Sequence, residues 1–177
     1  MLPTISEKDI LTAAAEGMDA FLNLFCDATL ESIGGELNAQ SMNQLNGEQI
    51  TLLAYRMMRE EVMDGGFIQL IHNGLGPFIF LNPFAKAMRL WGEELFGEPE
   101  NILHEFSKLI YKGRKYFERD GDALTQPCTD EEFMALFEQY PQFDDLDDQF
   151  VETEEDITAA IARYIDAHLD SFAQILK

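Results

Sequence analysis

The chain has 177 residues, of which 33 are Asp or Glu and 12 are Lys or Arg, giving a formal net charge of −21. With 46% hydrophobic residues, 14 of them Phe, it can bury a real core, which excludes wholesale disorder. The charge argues against direct nucleic-acid binding and against adhesion to an anionic membrane, because phosphates would be repelled; it favours cationic partner surfaces.

The spacing of apolar residues predicts helices along nearly the whole chain. Ser6 is an N-cap with Asp9 three residues on, and Leu11, Ala14, Met18, Phe21, Leu22 and Phe25 recur at a helical period. Asp9, Glu16, Asp19, Asn23, Asp27 and Glu31 fall on the opposite face of what reads as one helix ending at Ile33-Gly34-Gly35. A second helix is expected from Asn46, with Gln49 completing a capping pattern, through Ile50, Leu53, Ala54, Met57, Met58 and Val62 to Asp64-Gly65-Gly66. A short apolar helix, Phe67 to Ile71, then closes at the C-cap pattern His72-Asn73-Gly74.

Phe78-Ile79-Phe80-Leu81 reads as a short extended piece. Asn82-Pro83 and Glu98-Pro99 are expected to open the next two helices. Thr129 and Glu132 form a capping box for a helix with Phe133, Leu136, Phe137 and Tyr140 inward. Phe143, Leu146 and Phe150 pin an acidic helical turn, and Thr153 with Asp156 caps a last helix carrying Ile157, Ile161, Tyr164, Ile165 and Phe172. The expected fold is all-α: one compact multi-helix domain over residues 1–177 with orthogonal helix packing. Within it, 1–45 is an acidic helical segment, 46–119 a charge-balanced core and 120–177 a second acidic helical segment.

The charge is distributed unevenly along this plan. Residues 1–55 hold eight acids and one base, residues 56–119 nine of each, and residues 120–177 sixteen acids and two bases. No Lys or Arg occurs between Arg119 and Arg163. Surface helices ordinarily intersperse cations for i,i+4 pairs, and forgoing them costs stability through like-charge repulsion. A cost kept at particular regions points to a use.

Motifs for catalysis or metal binding are missing. His104-Glu105 lacks the second His of HExxH, and Glu61 is followed three residues on by Asp64, not His. Gly74-Leu75-Gly76 lacks the rest of a phosphate loop, and the run from Asp145 has Phe150 where a calcium loop needs Gly. Cys26 and Cys128 are too few and too far apart to mark a disulfide framework or a zinc site. No enzyme activity, cofactor or metal is expected. The alternative, a small-ligand or catalytic site, would centre on Gln69, His72 and Asn73, which read first as capping and buried hydrogen bonds at a tight turn. The N-terminus lacks a basic start followed by an apolar run, and no stretch reaches the roughly 20 apolar residues of a membrane span. A cytoplasmic protein with reduced thiols is expected.

Geometry supplies a use for the carboxylates. Side chains at i and i+4 on a helix lie about 6 Å apart along its axis. Phosphates advance about 3.4 Å per nucleotide along one DNA strand. Staggered carboxylate rows therefore approximate a phosphate row and offer the Lys and Arg of a DNA-binding protein the partners they expect. The first candidates are Asp144, Asp145, Asp147, Asp148, Glu152, Glu154, Glu155 and Asp156. Asp130, Glu131, Glu132 and Glu138 come next, and Glu16, Asp19, Asp27 and Glu31 are the N-terminal set. The expected partner is a basic DNA-binding protein, a transcription factor or alternatively a histone-like chromosomal protein.

Asp64-Gly65-Gly66-Phe67-Ile68-Gln69-Leu70-Ile71-His72-Asn73-Gly74 resembles the GGF-x-Q-x-x-x-N core of a bacterial helical family. Glu60-Glu61-Val62 before it, Trp91-Gly92 after it, and the tail with Phe143, Leu146, an acidic stretch and Tyr164-Ile165 are similar to that family too, over roughly residues 45–175. The family is largely without known function, and its characterised member is a DNA mimic. The resemblance implies an all-α fold, a homodimer, and binding to a dimeric helix-turn-helix transcription factor in place of its operator.

Overall fold

Side-chain caps legible in the sequence set several helix boundaries in the computed structural model, which describes residues 1–177. The order is β1 (Thr4–Ser6), α1 (Glu7–Glu16), α2 (Met18–Ser32), α3 (Ala39–Met42), α4 (Gly47–His72), α5 (Gly76–Phe80), α6 (Phe84–Phe96), α7 (Ile102–Leu124), α8 (Asp130–Gln139), α9 (Gln142–Ala167), α10 (Leu169–Phe172) and β2 (Gln174–Leu176). The fold is all-α. Ser6 Oγ accepts from the Asp9 amide at 3.0 Å to open α1. At the start of α4 the Gln49 amide donates to Asn46 Oδ1 at 2.8 Å, and the Asn46 amide donates to Gln49 Oε1 at 3.0 Å. Thr129 Oγ1 accepts from the Glu132 amide at 3.1 Å to open α8. Each bond satisfies amides that a helix start leaves unpaired.

Elsewhere the boundaries differ from the sequence expectation, each for a local reason. The first helix is two helices, because Gly17 sits at φ 127°, ψ 174°, a conformation closed to L side chains. The break resets the helical phase. Ile10 and Ala13 are the buried residues of α1, whereas Leu11 is 64% exposed and Ala14 is exposed. Phe21, Leu22 and Phe25 of α2 are buried as expected.

Phe78–Phe80 is helical, part of α5, with Pro77 in its first turn. Asn82 Nδ2 donates back to Phe78 O at 3.0 Å and caps nothing, so α6 begins at Phe84. The cap of α7 is Asn101, whose Oδ1 accepts from the His104 amide at 2.9 Å, so that helix starts three residues beyond Pro99. Thr153 starts no helix. Its Oγ1 donates to Gln149 O one turn back, at 2.6 Å, and α9 continues past it from Gln142 to Ala167.

The chain packs as two compact units, Met1–Leu53 with Thr158–Lys177, and Ala54–Ile157. In the first, α1 packs on α2, and the terminal strands pair in parallel, from Thr4 opposite Gln174 to Ser6 opposite Leu176. This strand pair joins segments about as far apart in sequence as the chain allows, and no local pattern announces it. Phe25 meets Phe172 edge-on at 6.4 Å in the core of that unit. In the second unit α6 lies along α7, and Phe106 is the centre of an aromatic cluster. Its ring touches Tyr55 at 5.8 Å and both Phe84 and Phe150 at 5.9 Å. No helix is long and apolar enough to cross a membrane.

Candidate functional site

The second unit carries the densest carboxylate face. At about 100° per residue, Phe143, Leu146, Phe150 and Ile157 share one side of α9, and all four are buried. The opposite side is acidic. Asp144, Asp148, Glu152 and Glu155 fall within about 80° of arc and span about 16 Å along the helix axis. All four are exposed, as are Asp145 and Asp156 beside them. No Lys or Arg interrupts the run. Because α9 does not break at Thr153, one continuous helix carries the whole row.

The α8 helix adds Asp130, Glu131, Glu132 and Glu138, all exposed. The first three lie in its first turn, where the helix dipole favours negative charge. Its apolar residues Phe133, Leu136, Phe137 and Tyr140 are only half-buried, so α8 rests on its neighbours with a shallower contact than expected.

Two of the candidate carboxylates point elsewhere. Asp147 is half-buried, and its Oδ1 accepts from the Phe67 amide at 2.8 Å. That amide is free because α4 kinks one residue earlier, at Gly66 (φ 77°, ψ −177°). A Cβ on Gly66 would collide with the Asp147 carboxylate. The Gly-Gly-Phe segment and the acidic stretch are thus two halves of one contact, 80 residues apart. Burial pushes the Asp147 carboxyl up to about 6; the Phe67 amide opposes the shift, and the neighbouring Asp144 and Asp148 charges add to it. Glu154 is 8% exposed, and its Oε1 lies 2.8 Å from Arg59 Nε on α4. Sequence reading did not pick out Arg59. The signal available was its place on α4, the helix that carries the Gly-Gly-Phe segment and on which Arg56 and Arg59 are the two Lys or Arg residues.

The N-terminal candidates Glu16, Asp19, Asp27 and Glu31 are all exposed and belong to the other unit. Gly17 separates Glu16, on α1, from the three on α2, so they do not form the single stripe that an unbroken helix would give.

The polar cluster weighed as a ligand site is bonded within the chain. Gln69 Nε2 donates to Glu61 Oε2 at 3.1 Å and to Asp64 Oδ2 at 2.8 Å. Asn73 Nδ2 donates to Glu61 Oε2 at 3.0 Å. His72 Nδ1 donates to Leu124 O at 2.9 Å, and its ring lies 5.0 Å from that of Phe133. These bonds brace the two halves of the kinked α4 and tie its end to the C-terminus of α7. Cys26 is buried, Cys128 is half-buried, and neither is in a disulfide. No group of three or more His, Cys, Asp and Glu side chains is placed to hold a metal ion.

Comparison with known proteins places this geometry in a family. The "DNA mimic protein DMP19" of Neisseria meningitidis serogroup B is 28% identical over 137 residues, which is 77% of each chain. The model of the DMP19-like protein family matches residues 43–168, a span containing the Gly66 kink, its Asp147 partner and the carboxylate row of α9. The chain belongs to the DMP19-like family.

Proposed function

We propose that this chain is a DNA mimic with no catalytic activity, whose exposed carboxylates occupy the DNA-binding surface of a basic transcription factor and keep it from its operator. The observation that carries this reading is the row Asp144, Asp148, Glu152 and Glu155 on the solvent side of α9. Its first two steps, about 6 Å each along the axis, lie close to two nucleotide steps of a phosphate strand, about 6.8 Å, and its last is about 4.5 Å. Asp145, Asp156 and the acids of α8 widen it into a field, and Glu16, Asp19, Asp27 and Glu31 are a second, independent set. Asp147 and Glu154 serve the mimic indirectly, by holding α9 against α4. The name of the Neisseria relative supports the same reading.

Single exposed ion pairs contribute roughly 0–1 kcal/mol, so recognition is a summed effect that weakens as salt rises. The test uses immobilised full-length chain in bacterial lysate at low salt. Bound protein is released with duplex DNA and identified by mass spectrometry. The expected result is a DNA-binding protein that D144N/D148N/E152Q/E155Q fails to capture, and whose operator complex the wild-type chain dissociates in a mobility-shift titration. A histone-like chromosomal protein in its place would move the reading from operator mimicry to mimicry of duplex in general. Capture unchanged by the four substitutions would overturn the assignment of the row.

A further inference from the structure

Seven of the chain's 12 Lys and Arg residues lie on α6 and α7, which pack along each other. Where α7 passes the connection between α5 and α6, a cavity of about 310 Å³ opens within the second unit. That volume is at the small end of the range for ligand sites, roughly 300–1,000 Å³. Phe80, Ala85 and Ile110 form its apolar floor, and all three are buried. Lys86, Tyr111 and Arg114 stand at its rim, and all three are exposed. None of its lining residues is acidic, in a chain with 33 Asp and Glu. No side chain caps α6, and Ala85 and Lys86 of its first turn line the wall, so the positive end of the helix adds to the two cations.

The floor is held in place from below. The Phe80 ring stacks on Phe117 at 5.4 Å, and it lies so close to Gly113 that a Cβ there would collide with it. Asn82 Nδ2 donates to Phe78 O at 3.0 Å, which fixes the connection that forms one wall. Lys86 forms no ion pair within the chain. Arg114 Nε donates to Glu118 Oε1 at 2.8 Å, which orients the guanidinium and leaves its terminal nitrogens for a second acceptor.

We infer that this cavity binds a small organic anion: a ring or short apolar body seated on Phe80, Ala85 and Ile110, with a carboxylate or phosphate group held between Lys86 and Arg114. An exposed ion pair alone contributes roughly 0–1 kcal/mol, so the ligand class carries both the anionic group and an apolar body that the floor removes from water. The net charge of −21 does not forbid this. Charges farther off than about 8 Å are largely screened at physiological salt, and the local sum of Lys86, Arg114 and Glu118 is one positive charge. The carboxylate row of α9 plays no part, so the site is independent of the proposed mimicry.

Titration of the isotope-labelled full chain, followed by amide chemical shifts, tests this with four probes: benzoate, phenyl phosphate, the neutral benzamide and inorganic phosphate. The expected result is saturable shifts at Ala85, Lys86, Tyr111 and Arg114 with benzoate or phenyl phosphate, the tighter of the two assigning the site to carboxylates or to phosphate esters. Benzamide and inorganic phosphate should each bind at least tenfold more weakly than that probe, and K86Q/R114Q should lower its affinity at least tenfold. Should K86Q/R114Q misfold by circular dichroism, K86Q alone decides, with an expected loss of at least threefold. The inference is overturned if neither anion shifts these residues, if benzamide or inorganic phosphate binds as tightly, or if the variant binds as the wild type does. K86Q/R114Q leaves the α9 row intact, so it should still capture a DNA-binding protein, which keeps this test separate from that of the mimic.

Discussion

Asp147 and Asp148 are adjacent in the chain and identical in chemistry, yet they do opposite things. Asp147 turns in to hold the Phe67 amide beside the Gly66 kink, and Asp148 faces water. The same contrast recurs two turns on, where Glu154 pairs with Arg59 and Glu155 is exposed. One face of a single helix anchors the element, and the other presents the charge. An excess of carboxylates does not by itself define a mimic: the helical phase sorts those that build the surface from those that can be read from it. Rigidity follows from this sorting, because the inward pair ties α9 to α4 at two points, one on each side of Phe150.

The comparison breaks most severely at the kink. Gly66→Ala places a side chain in backbone space open essentially to glycine alone and drives a Cβ into the Asp147 carboxylate. It should lower the unfolding free energy by about 3 kcal/mol in urea titration. Next is Glu154→Ala, which leaves the half-buried Arg59 guanidinium without its 2.8 Å partner. A loss of about 2 kcal/mol is expected, less than for a fully buried pair, whereas Glu155→Ala should stay within about 0.5 kcal/mol of wild type. Thermal denaturation of the two variants side by side checks this pair.

Asp147 adds a pH signature. Its carboxyl titrates near 3.8 when unfolded and near 6 when folded, so the fold favours the neutral acid. The stability this contributes is fully present below pH 3.8 and is lost as pH rises through about 6. Asp147→Asn keeps an acceptor for the Phe67 amide and carries no charge. Its stability should match wild type near pH 4 and exceed it by about 1 kcal/mol above pH 6, the full linkage being discounted for partial exposure. The smallest stability effect is expected for D144N/D148N/E152Q/E155Q, which removes only exposed like charges; its melting temperature should be unchanged or slightly raised.

Much of this arrangement was legible in the sequence, where the signals are local. The caps at Ser6, Asn46 and Thr129 lie within three residues of the amides they satisfy, and Phe143, Leu146 and Phe150 declare their buried face by period alone. What escaped was decided by backbone torsion or by distant partners. Gly17 interrupts an alanine-rich run that propensity would carry through. Asn101 outcompetes Glu98-Pro99 as a helix start, because its side chain reaches an amide and theirs does not. Thr153 resembles a cap until its hydroxyl is seen bonded to the preceding turn. The pairing of the Gly-Gly-Phe segment with Asp147 and the parallel pairing of the chain ends are long-range contacts without any periodic signature. The list of exposed acids could be written from the sequence, but the inward turn of Asp147 and Glu154 could not: Asp147 is held by the distant Phe67 amide, and the phase of Glu154 depends on the continuity of α9 through Thr153.

The most direct measurement is the affinity of the captured DNA-binding protein for three chains, by calorimetric titration at one fixed low salt: wild type, D144N/D148N/E152Q/E155Q and D147N. Four exposed pairs, each worth up to about 1 kcal/mol, predict an affinity loss of tenfold or more for the row variant. D147N should differ from wild type by less than about threefold. Equal affinity for the wild type and the row variant would contradict the account, whatever the behaviour of D147N.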